Sequence, residues 1–268
     1  MQTLSDGARI EFTDQGPRDG DAVLFLQGLN APGAAWAVQL AQFGQTHRCI
    51  APDARGVGKS DAPQGPYTTR QLAADALAVL EACGVARAHV VGLSLGGAAG
   101  QELALAHPER VRSLALLGSF AVQSPRSRAL MESWRELYPA VMPQHRAAWE
   151  RQAYAWLFTE QFWQREANVR AALRFASTQA AQSTQGFVGQ IDAALNHDTR
   201  ARLPSLSLPV VVLHGALDQL APLAAGEELA RLIPGAELVV LPEVGHAVNL
   251  EGQRKVHASL RALWQRSP

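Results

Sequence analysis

Only two cysteines occur in the 268 residues, Cys49 and Cys83. Two thiols cannot build a disulfide framework or a four-cysteine zinc site, and their scarcity fits a reducing compartment. Cys49 sits in an apparent strand and Cys83 on the apolar side of an apparent helix, so both read as buried and inert. Net charge is also lacking: 24 Lys and Arg balance 24 Asp and Glu, and no excess of one sign draws the chain toward nucleic acid or an acidic membrane. No apolar run approaches the roughly 18 residues of a membrane span. The opening MQTLSDGARIEF has no basic-then-apolar leader profile. These absences lead us to expect a cytoplasmic protein with a small-molecule partner, no metal and no cofactor. A homo-oligomer stays open.

What is present is enough apolar sequence for a large core, 47% of the chain. After a hairpin region at ARIEFTDQG come the runs AVLFLQGL, RCIAPDARG, HVVGLS, SLALLGSF, PVVVLHGALD and ELVVLPEVGH. Their hydrophobicity is continuous rather than alternating, as in strands covered on both faces. Helical patterns stand between them. In TTRQLAADALAVLEACG, Thr68 and Gln71 form a candidate capping box and Gly84 a stop, which predicts a helix in between. The alternation predicts an α/β fold with a mostly parallel sheet and helices on both faces.

From about Ala121 to Pro204 the strand rhythm ceases, and ten of the chain's 17 aromatic residues fall there. We read residues 121–204 as a helical cap inserted into a core made of 1–120 and 205–268. It is placed to cover the carboxyl ends of the strands, where open α/β sheets bind ligands. Most of its aromatics should form its own small core. Trp134 and Trp156, together with Gln27, Asn30 and Phe120 from strand ends, are the expected substrate contacts.

The stretch HVVGLSLGGAAG places Gly92, Ser94 and Gly96 as G-x-S-x-G between a strand and a helix, the pattern of a sharp turn that presents a serine. Glycine two residues before and two after removes side chains that would collide in such a turn. A serine needs a base, and the base needs an acid to hold its tautomer. Asp218 follows the fifth run and His246 the sixth, which gives the order Ser, Asp, His at the carboxyl ends of three strands. Glu243, three residues before His246, would have to fold back on its own loop, so Asp218 is the expected acid. The other histidines read as structural or solvated: His47 and His89 before strands, His107 at a helix end, His214 in backbone support and His257 on a late helix. His145 and His197 remain candidates for substrate contact. GVGKS at 56–60 ends like a phosphate-binding loop, but Asp53 occupies the position where that loop needs its first glycine. Asp53, Arg55 and Gly56 are expected to be structural, with Asp53 and Arg55 together fixing the backbone.

In the order LFLQGLNAPGAAW, PDARGVGKSD, GLSLGG, HGALD and GHAVNLE, the chain resembles the α/β-hydrolase superfamily over nearly its whole length. It looks most like the branch of lidded esterases, enol-lactonases and cofactor-free haloperoxidases. The resemblance implies an eight-stranded, mostly parallel sheet and a serine-nucleophile acyl mechanism on an ester or lactone. In it Ser94 attacks, His246 moves the proton and Asp218 stabilises the imidazolium. The backbone N–H groups of Leu29 and Leu95 would form the oxyanion hole. Relatives commonly carry His-Gly where this chain has Gln27-Gly28, a change expected to reshape the pocket floor while sparing the backbone donors. Hydrolysis of carbon–carbon bonds in vinylogous diketones, acyl transfer to an alcohol or peroxide, and a non-catalytic small-ligand receptor are the alternatives.

Overall fold

The computed structural model describes residues 1–4 and 6–267. Its strands are β1 (Gln2–Thr3), β2 (Arg9–Ile10), β3 (Phe12–Gln15), β4 (Ala22–Leu26), β5 (Arg48–Pro52), β6 (Ala88–Leu93), β7 (Val111–Leu117), β8 (Val210–Gly215) and β9 (Glu237–Leu241). Its α-helices are α1 (Ala37–Phe43), α2 (Thr69–Ala82), α3 (Leu95–Ala106), α4 (Pro125–Leu157), α5 (Glu160–Trp163), α6 (Glu166–Thr178), α7 (Thr184–Leu195), α8 (Leu223–Leu232), α9 (Val248–Glu251) and α10 (Gln253–Gln265). Among the described residues none is long and apolar enough to cross a membrane.

The main sheet runs β3-β5-β4-β6-β7-β8-β9, with β3 antiparallel to β5 and every other neighbouring pair parallel. It has seven strands among the described residues, where eight were expected. The N-terminal segment accounts for the difference. Gly7 takes φ 84° and Leu4 N–H donates to the Ala8 carbonyl, so the chain doubles back and β1 pairs with β2 instead of adding to the sheet.

Helices on both faces explain why the strand sequences do not alternate. Leu24, Ile50, Val90, Leu114 and Val212 point to one side and pack with Leu72, Val79 and Leu80 of α2, Leu103 of α3 and Leu229 of α8. Their neighbours Val23, Phe25, Cys49, Val91 and Val211 point to the other and meet Leu40 and Phe43 of α1 and Leu260, Leu263 and Trp264 of α10. Burial pushes the Cys49 thiol up to about 12, which leaves it uncharged and unreactive. Cys83 is half-buried at the end of α2. The ends of α2 follow the chemistry of its termini: Thr68 and Gln71 make both bonds of the capping box, and Gly84 takes φ 65°.

Between β7 and β8 stand α4 to α7. Helix α4 is broken at His145 (φ −125°, ψ 34°), so its second half turns away from its first. Tyr138 stacks on Phe187 with centroids 3.8 Å apart, and Trp149 meets both rings edge-on. With Met131, Trp134, Met142 and Ile191 they form a third apolar cluster, separate from the two that sandwich the sheet.

Candidate active site

Ser94 occupies the single residue between β6 and α3, with φ 52° and ψ −118°. Such a conformation strains a residue with a Cβ, and it persists only where the surroundings hold it. Here they do. Ser94 N–H donates to the Leu117 carbonyl at 2.9 Å, and the Ser94 carbonyl accepts from Ala98 N–H and from Ser119 Oγ at 3.1 and 2.9 Å. Space for the turn comes from its glycines. A Cβ on Gly92 would lie 2.5 Å from the Gly96 carbonyl, and one on Gly96 would collide with the Leu26 carbonyl. Gly97 faces Ser119 in the same way, so α3 is pressed against both the end of β4 and the loop after β7.

Asp218 lies in the turn after β8. Its Oδ1 accepts from the N–H groups of Leu220 and Ala221 at 2.9 and 2.8 Å, and its Oδ2 accepts from His246 Nδ1 at 2.7 Å. Both side chains are buried. A carboxylate can only accept, so this contact puts the proton on Nδ1 and leaves Nε2 as the basic nitrogen. Gly118, with φ 50°, gives the pair room: a Cβ there would sit 3.4 Å from both Asp218 Oδ2 and His246 Nδ1. His214 donates from Nε2 to the Ala221 carbonyl at 2.7 Å and lies 3.5 Å from Asp218 Oδ2. Burial lowers its pKa, so it supports the Asp218 turn as a neutral ring. Glu243 makes no contact with His246 among the described hydrogen bonds.

Ser94 and His246 line one cavity of about 990 Å³. Among the described residues Ser94 Oγ and His246 Nε2 make no hydrogen bond, to each other or to any other group. Contacts of this kind tighten when substrate is bound. The loop after β4 forms the opposite edge. Gly28 N–H is taken by Gln27 Oε1 at 2.8 Å and Asn30 N–H by Gln190 Oε1 at 3.1 Å, while Leu29 N–H between them has no acceptor among the described residues. Leu95 is the first residue of α3, so its N–H has no acceptor within the helix. Leu29 and Leu95, whose backbone N–H groups are uncommitted among the described residues, both line the cavity that holds Ser94, and Leu95 does so at a helix N-terminus, which favours negative charge.

Of the expected substrate contacts, Gln27, Asn30, Phe120 and Trp134 line the cavity. Trp156 does not: it is half-buried, packs against the apolar cluster of Trp134, Tyr138 and Trp149, and carries Arg126 over its ring at 5.6 Å. Beyond the break at His145, α4 presents Arg146, Trp149, Glu150, Ala153, Tyr154 and Leu157 to the cavity. Neither His145 nor His197 lines the cavity. His145 is exposed at the break in α4, and His197 is buried against Thr69 Oγ1 (2.9 Å) and Gln101 Oε1 (3.4 Å). Asp53 fixes backbone through Gly33 N–H (2.7 Å) and Lys59 N–H (2.9 Å), but Arg55 is not its partner. Arg55 is buried in a two-bond pair with Asp75, at 2.5 and 2.6 Å, and also reaches Asp6. Sequence reasoning did not identify Met131, Trp149, Phe158 and Phe187 as wall residues, nor Gln190, which pins the Asn30 loop from α7.

A family model described as the alpha/beta hydrolase fold matches residues 21–253. Over 258 residues the chain is 33% identical to a 2-hydroxymuconate semialdehyde hydrolase of Pseudomonas putida, a match that covers 93% of this chain and 88% of the relative. It is 29% identical over 261 residues to 3-oxoadipate enol-lactonase 2 of Acinetobacter baylyi, covering 96% and 93%. The crystal structure of the enol-lactonase from Burkholderia xenovorans LB400 superposes with a TM-score of 0.86 at 28% identity, covering 97% of this chain and 98% of that one.

Proposed function

The chain belongs to the α/β-hydrolase family, and on that premise we propose that it is a serine hydrolase that cleaves a small ester or lactone through an acyl-enzyme. Ser94 is the nucleophile, His246 the general base and acid, and Asp218 the acid that orients it. Ser94 Oγ attacks the acyl carbon as its proton passes to His246 Nε2, and Asp218 stabilises the resulting imidazolium through Nδ1. Leu29 and Leu95 N–H receive the oxyanion, each such donor being worth about 10²- to 10³-fold in rate. Collapse expels the alkoxide, which takes the proton from His246; from a lactone this oxygen stays tethered to the acyl group. Water then attacks the acyl-enzyme with His246 as base, and the acid departs. Residues 121–204 act as the cap that encloses the acyl group.

The observation that carries this reading is the placing of three things on one cavity: a serine at positive φ, a histidine already paired to a buried carboxylate, and two uncommitted backbone N–H groups. Its test is hydrolysis of p-nitrophenyl esters and a panel of small lactones by the purified protein and by Ser94→Ala. Loss of turnover in the variant supports the reading, and equal rates overturn it. A second reading, carbon–carbon bond hydrolysis in a vinylogous diketone, draws support from the 33% identical relative, which is named for a semialdehyde. A vinylogous diketone included in the panel and turned over faster than every ester and lactone would replace the first reading with the second.

A further inference from the structure

Glu251 closes α9, five residues after His246, and its carboxylate accepts three hydrogen bonds from two distant parts of the chain. Oε2 accepts from Gly245 N–H at 3.0 Å. Oε1 accepts from Thr159 N–H at 3.1 Å and from Thr159 Oγ1 at 2.5 Å. Thr159 stands at the end of α4 and caps α5. A fourth bond runs alongside, from Ala247 N–H to the Leu157 carbonyl at 3.0 Å. The residues on either side of His246 are thus both tied to the segment 157–159 of the cap, one through Glu251 and one directly. Space is as restricted as the bonding: a Cβ on Gly245 would lie 3.0 Å from Glu251 Oε2 and from the Leu157 carbonyl.

Asp218 fixes the tautomer of His246 and one direction of its ring, but that bond does not itself hold the backbone that carries the ring, whose local restraint is the bond from Val248 N–H to the His246 carbonyl at 2.8 Å. On the serine-hydrolase reading given above, we infer that Glu251 is a positioning residue that clamps the His246 loop to the cap and so holds Nε2 on the path to Ser94. Charged acceptors make the stronger hydrogen bonds, and one carboxylate has lone pairs for all three donors. A glutamine has a single acceptor oxygen. In its place, an amide group would face either Gly245 N–H or the Thr159 donors, so only one end of the clamp could survive. The clamp also ties the base to the cap, so disturbing residues 157–159 disturbs His246.

The test is the rate at which a fluorophosphonate labels Ser94, measured per folded molecule, with kcat and KM for p-nitrophenyl acetate measured alongside. Displacing a catalytic group by about 1 Å costs on the order of 10²-fold. Glu251→Gln is therefore expected to slow labelling and lower kcat by about 10- to 100-fold, with KM changing less than about threefold. Thr159→Val should slow both in the same sense from the cap side, Thr159→Ser should restore them, and the Glu251→Gln/Thr159→Val double variant should be no slower than Glu251→Gln alone. Wild-type labelling rates per folded molecule in Glu251→Gln, or multiplicative losses in the double variant, overturn the clamp while leaving the serine-hydrolase reading standing. A lower melting temperature with unchanged labelling per folded molecule assigns Glu251 a structural role only and overturns it too. Wild-type protein that is neither labelled nor active overturns both.

Discussion

The floor and the roof of the cavity are built by different means. On the floor, Ser94, Leu29, Leu95 and Asp218 sit at strand ends and are set by backbone hydrogen bonds and by glycines where no other residue fits. On the roof, position is set by aromatic packing, and polar groups are left over: Trp134 Nε1, Trp149 Nε1 and both amide atoms of Gln182 are buried without partners among the described residues. A backbone-built floor tolerates almost no displacement. An aromatic roof can repack around groups of different shape, so the floor should govern whether chemistry occurs and the roof which acyl group is accepted.

Substitutions on the two sides should separate accordingly. The largest effect is expected on the floor: Ser94→Ala and Asp218→Asn should lower kcat for p-nitrophenyl acetate by about 10⁴-fold, with folding unchanged by circular dichroism. Gly96→Ala comes next. Its Cβ would collide with the Leu26 carbonyl, so urea unfolding should show a loss of about 1–3 kcal/mol or more, accompanied by lower activity. On the roof, Trp134→Phe should change the ratio of kcat/KM between hexanoate and acetate esters by about tenfold while leaving kcat on acetate within about twofold. A roof variant that abolished turnover of every ester would erase the distinction.

The seam between the two parts supplies a pH test. His197, just beyond α7, is buried against Thr69 of α2 and Gln101 of α3, and burial lowers its pKa to about 4; His89, bonded to Ser113 at 2.8 Å inside the sheet, is lowered to about 4 as well. In the unfolded chain both titrate near 6.5, so between these values the unfolded state holds more protons. Stability is then fully present above about pH 6.5 and lost as pH falls toward 4. Urea midpoints should drop across that interval, and His197→Asn should flatten the slope. The smallest effect belongs to Trp156→Ala, which should leave all kinetic constants within about twofold because that ring lies outside the cavity.

The same division decided what could be read from the sequence. Strands buried on both faces announce themselves as apolar runs, and α2 by its capping box, because one local rule governs each. The glycines of GLSLGG pointed to the turn at Ser94. Glu243 would have had to fold back on its own loop, which put Asp218 ahead of it as the partner of His246, and Asp218 and His246 lie 2.7 Å apart. In α4 to α7, aromatic residues serve a local apolar cluster and the cavity alike, so periodicity could not tell Trp149, which lines the cavity, from Trp156, which does not. Contacts that join distant segments leave no local pattern at all. Gln190 meets Asn30 across 160 residues and Glu251 meets Thr159 across 92, and each is one polar residue on a helix until the fold brings its partner. The strand count failed at the N-terminus because a two-residue strand is too short to show which neighbour it will pair with.

The central claim is that Ser94 is made nucleophilic by the Asp218-paired His246. Intact-mass and peptide analysis after treatment with a fluorophosphonate tests it directly. The account predicts one adduct per chain, on Ser94, absent in Ser94→Ala and lost in His246→Ala. An adduct on another residue, or undiminished labelling of Ser94 without His246, would contradict it.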